Sequence, residues 1–81
     1  MKTHKLVLKN DDQNELLYVV ACLVRFCKHA SDQAEQCAII THNNGECDIK
    51  SGDINEMLEL KNDLSDMGLI TEIEVYESNM C

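Results

Sequence analysis

Asn10, Asp11 and Asp12 stand together in "LKNDDQNELLYVV", between an apolar strand-like stretch and an apolar helix-like one. A carboxamide and two carboxylates in a row supply hydrogen-bond acceptors and negative charge. That chemistry suits a helix cap, a tight turn or a site for a cation. His42, thirty-two residues after Asn10, adds an imidazole. Each residue has an ordinary structural reading too. Asp12 or Asn14 can cap a helix, and His42 suits a helix C-terminus, where the dipole favours it. Two adjacent carboxylates become an acid–base pair only when their environments differ. The chain contains no G-x-S-x-G, no H-E-x-x-H and no phosphate-binding glycine loop.

The cysteines are the other reactive side chains. Cys22, Cys27, Cys37, Cys47 and Cys81 are odd in number and include no C-x-x-C pair. They read as small apolar or surface thiols of a reducing compartment, with no metal site and no cofactor. "CKH" at Cys27–His29 is half a metal motif with no second half.

These residues belong to a chain of 81, enough for one domain with a thin core. Apolar residues make up 44% and aromatic ones only 4%, so Leu, Val, Ile, Met and Cys must fill the interior. Fifteen acidic residues against seven basic give a formal charge of −8, which disfavours nucleic acid and anionic membrane surfaces as partners. No apolar run approaches the ~18 residues of a membrane span. The first residues lack the apolar region of a signal peptide, so a cytoplasmic location is expected.

The elements that must position the polar groups follow from periodicity. Alternation predicts a strand over about His4–Lys9. Leu16, Leu17, Val19, Val20, Leu23, Val24, Phe26 and Cys27 mark a helix over Asn14–Lys28, capped by Asp12 or Asn14. Ser31 or Asp32 would cap a second helix running to about Thr41, with Asp32 and Glu35 at capping-box spacing. Ala34, Cys37, Ala38 and Thr41 share its inner face. "NNGE" is a turn and "ECDIKS" a strand. Asp53 caps a third helix whose stripe is Ile54, Met57, Leu58, Lys61 and Leu64, with Met67 near its end, and Gly68 terminates it. "LITEIEVYE" is a strand with one wet face. The order β-α-α-β-α-β predicts an α+β fold with helices on one side of a small sheet.

"LVLKNDDQNELLYVVACLVRFC" followed by "QAEQCAIITHNNGEC" resembles the ClpS family, adaptors of the ATP-dependent Clp proteases. The likeness runs from about Lys5 to Glu74. It rests on N-D-D ending the first strand, a Val- and Leu-rich helix, and an A-E-Q helix ending in H-x-x-G. The resemblance implies a three-stranded antiparallel sheet packed against three helices, a fold shared with the C-terminal domain of the ribosomal stalk protein. The adaptor domain would span 5–77, with short tails at 1–4 and 78–81. It implies a non-enzymatic monomer that binds N-degrons, protein N-termini with a bulky apolar first residue. Such a monomer presents them to a ClpA- or ClpC-type AAA+ unfoldase.

By the same resemblance, Asn10, Asp11, Asp12 and His42 match the positions that bind the α-amino group. Asn14, Leu16, Val19, Ala38, Thr41 and Leu69 would line the side-chain pocket, with Leu16 as the gatekeeper against β-branched first residues. Glu56 and Lys61 are candidates for unfoldase docking. The chain departs from the family's pattern in places. Glu15 replaces a proline, Ala38 and Thr41 replace larger apolar residues, and few residues precede the first strand, where the family carries a segment that helps hand over cargo. Two other functions are consistent with the residues alone: an interaction module on the same fold without an amine site, and a small thiol- or metal-dependent enzyme.

Overall fold

In a computed structural model describing residues 3–11 and 13–75, the described chain forms three strands and three helices. They are β1 (His4–Lys9), α1 (Leu16–Phe26), α2 (Ser31–Asn44), β2 (Glu46–Gly52), α3 (Ile54–Asp66) and β3 (Thr71–Val75). The sheet order is β2-β1-β3, with both pairings antiparallel. This is the α+β architecture expected from the periodicity. β1 is central because it alone can bury three successive side chains: Leu6 and Leu8 face the helices, and Val7 is buried between them at 1% exposure. Lys5 and Lys9 flank Val7 on the outer face. Lys5 pairs with Asp48 (3.2 Å) and Glu74 (3.9 Å), and Lys9 with Glu46 (2.6 Å) and Glu72 (3.8 Å). Two lysines on the middle strand thus face acidic residues on both edge strands, and their stems shield Val7.

The core joins Leu6, Leu8 and Ile49 of the sheet to Cys22, Leu23, Ala34, Met57 and Leu64 of the helices. Burying a leucine such as Leu23 contributes roughly 1.5–3 kcal/mol. Cys22 and Cys27 are buried, Cys37 and Cys47 half-buried, and all four are free. His29 is buried in the α1–α2 connection, and its Nε2 lies 2.7 Å from the carbonyl of Ile49, beside the register irregularity in β1–β2.

Several boundaries differ from the sequence reading. His4 pairs with Gly52 and Val75, and the Thr3 N–H donates to Gly52 O (3.0 Å), so Thr3 and His4 of the proposed tail at 1–4 join the sheet, and the first two residues lie outside the described ones. Helix α1 has Glu15 at its N-cap with no side-chain bond, so Asn14 does not cap it; Asp12 lies outside the described residues. Ala30 stands at the N-cap of α2, and neither Ser31 nor Asp32 caps it. That helix runs three residues past Thr41 to Asn44, where Gly45 takes a left-handed φ of 95° and ends it. Asp53 caps α3 as expected, its Oδ1 accepting from the Glu56 N–H at 2.8 Å. In α3, Ile54 and Leu58 are exposed and Leu60 packs against the core instead. Leu58 sits about 100° around the helix from Met57, off the buried face. β3 begins at Thr71, leaving Leu69 and Ile70 in the preceding turn, and Tyr76 lies outside the described residues.

One contact bears on the edge of the sheet. Lys9 N–H donates to Ile70 O (2.9 Å), so the backbone groups of Ile70 face β1 and those of Thr71 face outward. Lys61 on α3 donates to that outward Thr71 carbonyl at 2.6 Å.

Candidate functional site

The end of β1 is held from both sides. Besides the Lys9–Ile70 bond, the Asn10 N–H donates to Gly45 O at 2.8 Å. Gly45 closes α2, so this bond brings Asn10 to the helix end that carries His42. The chain then folds into an Asx turn, in which Asp11 Oδ1 accepts from the Gln13 N–H at 2.9 Å. Asp11 Oδ2 accepts from Asn14 Nδ2 (2.9 Å), and the same Nδ2 donates to Gly68 O at 3.0 Å. Tyr18 OH donates to Met67 O at 2.6 Å. Two bonds therefore fasten the α3–β3 turn to the start of α1, and that turn presents Leu69.

Between these parts lies a cavity of about 210 Å³. Its polar side is Asn10, Asp11, Asn14 and His42, with Lys9. Its apolar side is Leu8, Leu16, Val19, Ala38, Thr41 and Leu69. Leu8, Ala38, Thr41 and Leu69 are almost wholly buried and make the floor, whereas Leu16 is 42% exposed at the rim. Thr41 Oγ1 donates to Cys37 O at 2.8 Å, so its proton is used within the helix. An apolar cavity of ~150 Å³ already holds a benzene ring, so this volume suffices for a bulky side chain.

The charge of Lys9 is answered at the cavity's edge. Its hydrogen bond to Glu46 raises its pKa above the ordinary lysine value and holds Glu46 below the usual carboxylate range. A chain with net charge −8 thus places no unanswered lysine against the cavity. Elsewhere, burial pushes the Cys27 thiol up to about 11 and the Cys47 thiol up to about 12, the latter also through its contact with Cys37. Both stay protonated near neutral pH and are poor nucleophiles. Among the described residues, no group of three or more His, Cys, Asp or Glu could hold a metal ion. No described helix is long and apolar enough to cross a membrane.

The cavity gathers nine of the residues singled out in the sequence, which come from five separate parts of the chain: Asn10 and Asp11; Asn14; Leu16 and Val19; Ala38, Thr41 and His42; and Leu69. Asp12 lies outside the described residues. Leu8 and Lys9 also line it and were not singled out. The alternation of β1, which turns Leu8 inward, was the available signal for Leu8; Lys9 enters only by adjacency. Asn14 belongs to the polar side, not to an apolar wall. Asp11 has both oxygens engaged within its own loop. Glu56 and Lys61 lie away from the cavity on α3 and about 140° apart around it, so they share no face. The Lys61 ammonium is taken by Thr71 O.

Among the described residues, the fold is a small α+β domain with an apolar, polar-ended cavity at the sheet–helix junction. Residues 1–70 match the family model of the ATP-dependent Clp protease adaptor protein ClpS. The chain belongs to that family. A solved structure, that of Agrobacterium tumefaciens ClpS2 bound to L-phenylalaninamide, has the same fold. It superimposes with a TM-score of 0.88 at 18% identity, covering 93% of this chain and 98% of that one. A search among curated proteins finds no match.

Proposed function

We propose that this Clp adaptor binds N-degrons in the cavity and presents them to a ClpA- or ClpC-type AAA+ unfoldase. The observation that carries the reading is the juxtaposition, in one cavity, of the Asn10 carboxamide and His42 imidazole with the apolar floor of Leu8, Ala38 and Leu69. A free α-amino group has a pKa of roughly 7.7–8 and is largely cationic near neutral pH. As an ammonium it brings three donors and no acceptor. Asn10 and His42 can accept from it, and Asp12 would add a carboxylate. The acidic loop favours the cation. An apolar first side chain on the floor adds about 1.5–3 kcal/mol. A ligand lacking the amine would bury the acceptors unpaired, which is how the polar end confers specificity. The relative from Agrobacterium binds L-phenylalaninamide, which joins a free amine to an aromatic side chain.

In this reading the protein acts as a monomer in the cytoplasm, and α3 contributes to unfoldase docking through its exposed side, which includes Glu56. Lys61, engaged with Thr71, is the weaker candidate.

The test is a calorimetric titration of a peptide beginning with Leu or Phe against its N-acetylated twin. The free-amine peptide should bind and the acetylated one should be at least tenfold weaker. His42→Ala should weaken the first and leave the fold intact by thermal melting. Equal binding of the two peptides would remove the amine site and leave an interaction module on the same fold.

A further inference from the structure

We propose that Asn14 is a ligand-contacting residue whose Oδ1 accepts an N–H donor from the bound peptide. The inference rests on the amine-binding reading of the cavity. Its basis is the way the carboxamide is held. Nδ2 lies 2.9 Å from Asp11 Oδ2 and 3.0 Å from Gly68 O. A carboxylate and a backbone carbonyl are both acceptors, so the NH₂ group must face them. Flipping the carboxamide would set its oxygen against two oxygens, and the network therefore fixes which atom is which. Both amide hydrogens are then used, and Oδ1 has no hydrogen-bond partner among the described residues.

Asn14 is half-buried and lines the cavity. A carbonyl acceptor held from two loops loses little freedom when a ligand engages it. Asp11 becomes a positioning residue in this arrangement. One of its oxygens shapes the turn at Gln13 and the other orients Asn14. A bound peptide carries two kinds of N–H near its start, the ammonium and the amide of the second residue. Both are donors to a neutral carbonyl oxygen.

The experiment compares wild type, Asn14→Ala and Tyr18→Phe by calorimetry. The ligands are a Phe-starting peptide, its twin N-methylated at the second residue, and the N-acetylated peptide as baseline. Tyr18→Phe loosens the same α3–β3 turn at Met67 without touching the Asn14 oxygen. Asn14→Ala should weaken the Phe-starting peptide roughly tenfold, the effect of one well-placed hydrogen bond. Tyr18→Phe should stay within about twofold of wild type. If the Asn14→Ala loss disappears with the N-methylated peptide, the donor is the second-residue amide. If the loss persists, the donor is the ammonium. Wild-type affinity in Asn14→Ala, or an equal loss in Tyr18→Phe, would overturn the acceptor role. A second readout needs no variant: the side-chain amide resonances of Asn14 in isotope-labelled wild type should shift on peptide binding, and unmoved resonances overturn the inference. Wild type that does not distinguish free-amine from acetylated peptide overturns the cavity reading and this inference together. Wild type that does, with Asn14→Ala unchanged, overturns this inference alone.

Discussion

Leu16 is the residue to which the N-degron reading assigns selectivity. It is the first residue of α1, it lines the cavity, and 42% of it remains exposed at the rim. If N-degrons bind in the cavity as proposed, a side chain there would meet the ligand close to the β-carbon of its first residue, where Val and Ile branch. Leu16→Ala should raise the affinity for Ile- and Val-starting peptides relative to Leu-starting ones, measured as a ratio of dissociation constants. An unchanged ratio would take Leu16 out of the selectivity of the site. The residues of this region were largely legible in the sequence, because residue type and spacing together carried the family likeness. Their hydrogen-bond partners were not. Nothing in "NDDQNE" says that Asp11 spends both oxygens inside the loop, or that Asn14 reaches Gly68, 54 residues on. Such bonds depend on where the α3–β3 turn lands, which is a tertiary fact.

At the scale of elements, the alternating strands and the Asp53 cap were readable because each rests on a local rule. The caps of α1 and α2 were not. Asp and Ser compete between capping and turn roles, and here Asp11 forms the Asx turn while α1 and α2 start at residues without side-chain caps. The joining of β1 to β2 has a pH signature. Glu46 is held below the usual carboxylate range by Lys9, so its folded pKa lies under its unfolded one. Stability from this pair is present above the unfolded carboxylate value, about 4.3, and is lost as pH falls through the lower folded value. The pair is at the surface, so the contribution is small and salt-sensitive. Melting temperature followed from pH 6 to about pH 3 should fall less steeply in Glu46→Gln than in wild type. Identical slopes would mean that the contact stabilises nothing.

For the whole molecule, two lysines of the central strand are answered by acids on both edges, and most of the remaining charge is negative. A net negative surface disfavours contact between copies of the chain by repulsion. The sheet nevertheless ends in β3, a short strand whose outer side has backbone groups to offer. Lys61 occupies the first of them by donating to Thr71 O. Its ammonium stands where a neighbouring chain's N–H would have to dock, a placement that would hinder strand-by-strand growth. Replacing it with a side chain of similar length and no charge, Lys61→Met, frees that carbonyl and adds an apolar group beside it. The variant should scatter more light and precipitate sooner than wild type in concentrated solution held a few degrees below melting, while a dilute sample melts nearly unchanged. If both samples stay equally clear, the carbonyl is guarded by something else. If the variant does cloud sooner, Lys61 matters for how long the protein survives at high concentration, because its bond to Thr71 O keeps the open side of the sheet from serving as a template.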